Sequence, residues 1–479
     1  MDAALSRNTP TYYVKLAVMA AIMMLFRHLP QPPGLSAEGL AVVGVFFGVL
    51  YGWLFIDMVW PSLAGILALG LVLPEPMDLV LRDTFGNSTF LLLLFFCMVA
   101  SVINSAGVAG YLARRIVGAS FVDGRPWLLV FMLCLAMCAL ACMLTMTAAV
   151  LVAFPLVREV CRQYGYRPGD VFPMVLLLAM LFVANIAYLL LPFKSMPAIV
   201  FGVYGQMSGG GQIALAPYMV VMTALLLLSI VFVLGYLRFV VRPDVERMRV
   251  ARGNLRVEDK LSSYQRAILW SFVGLIVLLL LLGMLPGDWF LARLLNGLGY
   301  NGILLAYVCF YLLLNFREGI GLGDIMHRSV AWPALFLVAA VLRITGAFVA
   351  TGVTDFIASV CGPMLQGVSS TLLVFIVVFV ATGCTQLANN NASAAIFAPV
   401  AYTLAVANGS VEPQALLCCV LLSCSNGMLT PASSTTSAIL YGDMEWVRQK
   451  TLLPHAVCFW IFNVVLAAFV GYPLITLLF

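Results

Sequence analysis

Apolar runs follow one another from residue 12 to residue 478 with few interruptions, and this hydropathy pattern constrains the fold more than any motif in the chain. Of the 479 residues, 63% are hydrophobic and only 9% are charged, whereas about 25% are charged in an average soluble protein. So few charged side chains cannot cover a water-facing surface. We therefore predict an all-α polytopic membrane protein, without a soluble catalytic domain and without a nucleic-acid partner.

Hydropathy divides the chain into candidate membrane segments. They lie near residues 12–30, 38–56, 58–73, 88–108, 127–157, 172–206, 217–241, 267–285, 298–316, 330–351, 368–407, 413–441 and 452–478. Segments 127–157 and 368–407 are too long for one crossing, and both are interrupted by small polar residues. We predict that each is a re-entrant hairpin, which enters and leaves on the same side of the membrane. Eleven crossings remain.

The positions of Lys and Arg test this count. With a cytoplasmic N-terminus, only Arg27, Arg82 and Arg293 fall outside, Lys194 and Arg343 lie within the membrane, and all other Lys and Arg residues are cytoplasmic. This is the bias that the positive-inside rule describes. We expect a bacterial inner-membrane protein with its C-terminus outside. Arg343 either has a structural partner, such as interior carbonyls or a neighbouring subunit, or attracts substrate.

Landmarks recur at an offset of about 240–245 residues. Gly107-Val108 matches Gly352-Val353, Pro155 matches Pro399, Pro173 matches Pro413, and Pro192 matches Pro431. An odd number of crossings separates the halves, so we predict repeats of inverted topology. The predicted units are N-terminal spans and first-half scaffold 1–126, first-half transport unit 127–241, cytoplasmic linker 242–266, second-half scaffold 267–367 and second-half transport unit 368–479. The basic linker either holds anionic lipid headgroups or is an ordinary solvated loop.

Segments 172–206 and 413–441 are broken by proline and polar residues. Pro192 and Pro431 remove backbone donors, while Ser195 and the hydroxyl run Ser433–Ser437 suit the start of a new half-helix. N–H groups at such starts favour an anion, and the freed carbonyls suit a cation. Alternatively, the hydroxyls bond to carbonyls one turn earlier and only pack.

Four segments of the chain resemble a known family. They are Thr385-Gln386-Leu387-Ala388-Asn389-Asn390-Asn391-Ala392-Ser393-Ala394-Ala395 with Pro399 in register, Pro431-Ala432-Ser433-Ser434-Thr435-Thr436-Ser437-Ala438-Ile439, Leu29-Pro30-Gln31-Pro32-Pro33-Gly34-Leu35-Ser36 and Phe85-Gly86-Asn87-Ser88-Thr89. At these residues the sequence resembles the divalent anion:sodium symporter family of the ion transporter superfamily. The similarity extends over nearly the whole chain.

The resemblance implies a homodimer in which a scaffold holds a transport unit that moves as an elevator. Carried over by position, the substrate contacts fall on Thr147, Ser195, Asn389, Asn390, Asn391, Ser434 and Thr435. A second-half sodium site falls on Thr385, Ala388, Asn390 and Ser433. The first half departs from the family pattern, because Met146 replaces the tip Asn and Lys194 replaces an ion-facing glycine.

We therefore expect a secondary active transporter, either a symporter or an exchanger, of small organic anions such as di- and tricarboxylates. The alternatives are a sulfate or sulfonate transporter and a sodium/proton antiporter of the same superfamily. An antiporter needs ionisable carboxylates at the midplane, and neither hairpin nor either broken span contains Asp or Glu.

An enzyme is not expected, because the only histidines, His28, His327 and His455, lie near span ends. No cofactor is expected, and sodium is the candidate coupling ion. The expected partners are a small anionic substrate, membrane lipids and a second copy of the chain.

Lys194 has two alternative interpretations. One hypothesis is that it contacts the substrate side of the first half and supplies the positive charge that family members obtain from a bound sodium ion. The other is that its stem carries the amine to the outer interface. Its place at the Pro192 break, beside Ser195, favours the first.

Overall fold

The computed structural model describes residues 10–122, 124–246, 248, 260–282, 290–317, 323, 330–365 and 367–479. Residues 1–9 of the predicted N-terminal unit, and residues 247 and 249–259 of the predicted linker 242–266, lie outside this range. Every regular element in the described residues is helical. This agrees with the predicted all-α class.

The first half begins with three helices and continues through a hairpin and a broken span. Its helices are α1 Pro10–Leu25, α2 Ala37–Phe55, α3 Val59–Val72, α4 Met77–Phe85, α5 Ser88–Ser105, α6 Val108–Val117, α7 Pro126–Met143, α8 Met146–Gln163, α9 Val171–Leu189, α10 Ser195–Met207 and α11 Leu215–Tyr236. The predicted hairpin 127–157 corresponds to α7 and α8, and the broken span 172–206 corresponds to α9 and α10. Hydropathy left the short helices α4 and α6 unassigned.

The second half has the same order of elements after its first two helices. Its helices are α12 Ser263–Leu282, α13 Phe290–Arg317, α14 Trp332–Ala350, α15 Val353–Leu365, α16 Ser370–Cys384, α17 Asn390–Asn408, α18 Pro413–Ser425, α19 Thr435–Gly442, α20 Gln449–Val465 and α21 Tyr472–Leu478. The hairpin 368–407 corresponds to α16 and α17, and the broken span 413–441 corresponds to α18 and α19.

Two glycines mark equivalent turns in the two halves. Gly107 (φ 68°) precedes α6 and Gly352 (φ 74°) precedes α15. A left-handed backbone favours glycine because it lacks a Cβ. The recurrence noted in the sequence is thus a recurrence of local geometry and element order, while the opposite membrane orientation of the halves stays a prediction.

Burial separates a central helix from outer ones. Helix α9 is buried over its whole length except at Val171 and Tyr188, as expected for a helix that is apolar on every side. Outer helices instead expose large side chains, including Leu313 (72% exposed) and Phe316 (84%). Among the described residues, eight helices are long and apolar enough to cross a bilayer. The chain is therefore a polytopic membrane protein, and the count of eleven crossings remains a prediction.

Two contacts join helix ends that are distant in the sequence. The guanidinium of Arg158, in the C-terminal part of α8, lies 2.9 Å from the carboxylate of Asp443, which follows α19. At another group of ends, the Ser36 hydroxyl donates to the Thr351 carbonyl at 2.9 Å. The predicted topology assigns the first pair to the cytoplasm and the second to the outside. Which group faces the cytoplasm remains a prediction.

Arg343 is paired with a carboxylate that sequence reasoning did not consider. Its guanidinium contacts Glu75, in the connection between α3 and α4, and the two side chains are 11% and 34% exposed. The partner is 268 residues away in the sequence, so no local pattern could reveal it. Of the alternatives left open, the structural one describes Arg343 better, with Glu75 as the partner.

Replacing Glu75 should cost more stability than replacing Arg343. Glu75→Leu leaves a largely buried guanidinium without its carboxylate, so the free energy of unfolding should fall by on the order of 1–3 kcal/mol. Arg343→Leu leaves the more exposed carboxylate, which water can solvate, so we expect a smaller loss. Thermal unfolding of the purified protein in detergent measures both. The control is Arg82→Leu, because the partner of Arg82 among the described residues is exposed Asp83, and loss of this pair should change stability little. Equal losses for Glu75→Leu and Arg343→Leu would contradict this account.

Candidate functional site

Four helices begin at one cavity. A cavity of about 90 Å³ is lined by the first residues of α8, α10, α17 and α19, together with side chains from α9 and the end of α18. Its lining residues are Met146, Asn185, Tyr188, Ser195, Met196, Asn389, Asn390, Asn391, Ser425, Ser434, Thr435 and Thr436. We call it the central cavity. None of the described residues that line it is Asp or Glu, whereas helix N-termini carry unpaired N–H groups and a partial positive charge.

Short polar residues cap three of the four helices that begin at the cavity. Thr145, Asn389 and Ser434 have extended backbones, and their side chains accept hydrogen bonds from the N–H groups of Ala148, Asn391 and Ser437, respectively. Short polar side chains are the preferred N-caps for this reason. Each cap accepts from one N–H group of the first helical turn. The other N–H groups of that turn stay available to a ligand in the cavity.

Two hydrogen bonds join the halves across the cavity. The hydroxyls of Thr147 and Thr435 are 3.1 Å apart, and the Ser195 hydroxyl donates to Asn391 Oδ1 at 3.2 Å. In each bond, the second residue of a hairpin helix meets the first residue of a half-helix from the other half. The bonds tie α8 to α19 and α10 to α17. The two halves thus contribute equivalent pairs of helix N-termini.

Gln386 holds the break between α18 and α19 against the second hairpin tip. Its side chain is buried, its Nε2 donates to the Asn426 carbonyl, and its Oε1 accepts from the N–H groups of Met428 and Leu429, each at 2.9 Å. Its own carbonyl accepts from the Thr430 hydroxyl at 2.6 Å. One amide therefore satisfies backbone groups that the break would otherwise leave unpaired. Sequence reasoning quoted Gln386 but gave it no role.

The predicted sodium residues lie close together behind this tip. The Thr385 hydroxyl donates to Asn390 Oδ1 at 3.0 Å, and the Asn390 amide donates to the Ser425 carbonyl at 2.7 Å. A Cβ on Gly427 would lie 2.5 Å from Asn390 Oδ1 and 3.0 Å from both the Thr385 carbonyl and Ser433 Cβ. Oxygen atoms thus converge where only glycine fits. Buried Ala388 lies in the same tip, between α16 and α17.

The first half has a lysine where the second half has this oxygen cluster. Lys194 is 4% exposed, and its Nζ donates to the Leu144 carbonyl at 2.7 Å. The amine lies 5.0 Å from the Tyr188 ring centroid and 5.5 Å from that of Phe96. The side chain therefore does not reach the outer interface, and that alternative was wrong. The amine binds the first hairpin tip through the Leu144 carbonyl, and Lys194 is not among the residues that line the central cavity.

Of the predicted substrate residues, six line the cavity. They are Ser195, Asn389, Asn390, Asn391, Ser434 and Thr435. Thr147 lies at its edge through the bond to Thr435, and Lys194 lies behind the first tip. Residues that sequence reasoning missed are Asn185, Tyr188, Ser425, Thr436 and Met196; an Asn and a Tyr inside an apolar segment were the available signals for the first two.

A larger cavity lies elsewhere. It has a volume of about 410 Å³ and is lined by Arg82, Asn87, Gln206 and Arg343 among others. Both guanidiniums are paired, Arg82 with Asp83 at 3.3 Å and Arg343 with Glu75. Their charges are therefore balanced locally, whereas the central cavity concentrates helix N-termini with no carboxylate in its lining. We take the central cavity as the candidate site.

Sequence comparisons relate the chain to membrane transporters. The family model described as "Citrate transporter" matches residues 17–423. The sodium-dependent dicarboxylate transporter SdcS of Staphylococcus saprophyticus is 23% identical over 471 residues, which cover 94% of this chain and 88% of that protein. The uncharacterized transporter sll0640 of Synechocystis is 27% identical over 123 residues, which cover 25% of this chain and only 19% of that protein.

Solved structures with a similar fold are also transporters. The YdaH transporter of Alcanivorax borkumensis aligns with a TM-score of 0.62 and 16% identity, over 85% of this chain and 90% of that one. MtrF of Neisseria gonorrhoeae, described among antimetabolite efflux pumps, aligns with a TM-score of 0.58 and 13% identity, over 94% of this chain and 97% of that one. At these identities the likeness concerns the fold alone.

Replacing Asn390 by Ala should abolish uptake of a labelled small organic anion, the substrate class expected from the sequence, while the protein still folds. The change removes the amide that joins the Thr385 hydroxyl to the Ser425 carbonyl, so the tip loses its fixed position. The matched control is Leu387→Ala, because Leu387 lies on the same tip but is 79% exposed. Uptake is measured in proteoliposomes, and folding by the gel-filtration profile. Undiminished uptake by the Asn390 variant would remove the Asn tip from the mechanism.

Proposed function

The chain belongs to the citrate transporter family, and from this premise we propose that it carries small organic anions with two or three carboxylates. The family model covers most of the chain, and the resemblance to the divalent anion:sodium symporters is confirmed by the match to SdcS, which extends over 94% of this chain. The protein is an integral membrane transporter and not an enzyme.

The observation that carries the proposal is the convergence of four helix N-termini on a cavity whose lining has no Asp or Glu. Each helix N-terminus is equivalent to about +0.5 elementary charge, so the four together supply roughly +2. A dianion balances this charge without a buried Arg or Lys in the lining. The effect is strong here because surrounding apolar helices keep the dielectric constant low.

The two bonds between the halves divide the site into two places for a carboxylate. One lies at the starts of α8 and α19, near Thr147, Thr435 and Ser434. The other lies at the starts of α10 and α17, near Ser195 and Asn391. In the proposal, each carboxylate accepts from the hydroxyl, amide and N–H groups of one pair. The amides of Asn389 and Asn390 close the side formed by the second tip.

The runner-up functions fit the site less well. A sodium/proton antiporter requires a carboxylate that exchanges the cations, and none lines the central cavity. Sulfate would match the charge of the site. However, the oxygens of sulfate or a sulfonate are all bonded to one sulfur atom, so they would engage only one of the two pairs of helix N-termini. We therefore keep sulfate as a competitor in the test below.

Coupling is proposed to involve at most one sodium ion, bound in the second half. Thr385, Ala388, Asn390 and Ser433 would hold it through hydroxyl, amide and carbonyl oxygens. The name of SdcS describes a sodium-dependent dicarboxylate transporter, which supports sodium as the ion. In the first half, the Lys194 ammonium already binds the tip carbonyl of Leu144, and we propose that it replaces a second ion.

We also propose the large-scale arrangement that the resemblance implies. The hairpins α7–α8 and α16–α17 and the broken spans α9–α10 and α18–α19 form the transport unit, which moves as an elevator past a scaffold. The scaffold forms a homodimer. The close contacts α8–α19 and α10–α17 support one moving body, because they bind the site elements of both halves to each other.

Uptake by proteoliposomes tests the substrate class. We expect saturable uptake of labelled malate or citrate that unlabelled di- and tricarboxylates inhibit and sulfate does not. An inward sodium gradient should stimulate it with a dependence no steeper than one ion, and internal unlabelled anion should reveal exchange. Preferred uptake of sulfate, or sodium/proton exchange without any carboxylate, would overturn the proposal.

Variants of Lys194 test the fixed positive charge. Lys194→Ala should raise the apparent KM for the anion by roughly tenfold or more, because one charge near the site is lost in a low dielectric. Lys194→Gly should do the same at low sodium but recover part of the affinity at high sodium, which can then enter the vacated space. The control is Lys15→Ala, because Lys15 lies on α1 and does not line the central cavity. A steep sodium dependence of the wild type, with two or more ions per turnover, would contradict this role.

A further inference from the structure

Asn185 faces the central cavity with an unused amide. It lies on α9, is 2% exposed and lines the cavity. Neither its Nδ2 nor its Oδ1 has a hydrogen-bond partner among the described residues. A buried amide without partners costs free energy, and native proteins rarely leave one in that state without a reason. This one points to a group that enters the cavity.

The other amides at the cavity have partners. Asn390 bonds to Thr385 and Ser425, Asn389 Oδ1 accepts from the Asn391 N–H, and Asn391 Oδ1 accepts from Ser195. Asn185 differs because both its donor and its acceptor are buried and unused.

The first hairpin tip presents a methionine to the cavity where the second tip presents an amide. Met146 lines the cavity at the first hairpin tip, and it stands where the second tip has Asn390. The tip carbonyl of Leu144 is taken by Lys194. The first half thus lacks the tip amide of the second half, and the amide of α9 is the one that remains for a ligand.

We propose that Asn185 is a specificity-determining residue that selects carboxylates with a hydroxyl on the carbon next to a carboxylate. Such a 2-hydroxycarboxylate presents an acceptor and a donor side by side. Its carboxylate accepts from Asn185 Nδ2 and its hydroxyl donates to Asn185 Oδ1. An unsubstituted dicarboxylate satisfies only Nδ2, so Oδ1 stays buried and unpaired, and the site discriminates against that substrate.

This inference rests on the proposed function, and its test uses two matched substrate pairs. Malate differs from succinate by one hydroxyl, and citrate differs from tricarballylate by one hydroxyl. The measurement is the ratio of uptake efficiencies within each pair in proteoliposomes. For the wild type we expect a preference of roughly tenfold or more for the hydroxylated member. The ratio is independent of the amount of protein inserted.

Three variants complete the test. Asn185→Leu removes both polar atoms at similar size, and Asn185→Ala does so without new bulk in case the leucine disturbs folding. Both should bring the ratio close to one while uptake of succinate or tricarballylate persists. The control is Asn315→Leu, because Asn315 is a buried amide on α13 outside the lining of the cavity, and it should keep the wild-type ratio.

The outcomes separate the two proposals. A wild-type ratio near one, or an unchanged ratio in the Asn185 variants, overturns the role of Asn185 while the transport function stands. Absence of uptake of all four carboxylates by the wild type refutes the transport function itself.

Discussion

Every backbone N–H and C=O group inside an apolar protein must find a partner, and the site of this transporter depends on how that requirement is met at four helix ends. Breaking a helix within a membrane protein is tolerated only where side chains, a ligand or a cavity satisfy the freed groups. Here Gln386 binds the second break, Lys194 binds the first hairpin tip, and short polar residues cap α8, α17 and α19. The starts of these helices, where further N–H groups are available to a ligand, face the central cavity.

The two halves meet this requirement by different chemistry. The second half uses neutral oxygen and amide groups, with Thr385, Asn390 and Gln386 in one network. The first half uses a buried ammonium on Leu144 and has a methionine at the equivalent tip position. A neutral set can accept a mobile cation, whereas a covalently attached ammonium cannot leave. This difference would make the chain an asymmetric version of a symmetric plan, with the coupling ion confined to one half.

The sequence allowed good prediction of the elements whose signal is local. Hairpins and broken spans stood out because prolines and small polar residues interrupt long apolar runs, and six predicted substrate residues line one cavity. Contacts between distant segments were not predictable in this way. Glu75 is not identifiable as the partner of Arg343 from any periodicity, and the roles of Gln386 and Asn185 depend on which backbone groups the fold brings near them. The short helices α4, α6 and α15 were missed because hydropathy over a span-length window averages them with their neighbours.

The most direct test of the central claim is a structure of the purified protein with a bound dicarboxylate, determined by electron cryomicroscopy. The account predicts density for the anion in the central cavity, with one carboxylate at the starts of α8 and α19 and the other at the starts of α10 and α17. Density instead in the cavity between Arg82 and Arg343, with the four helix N-termini unoccupied, would contradict it.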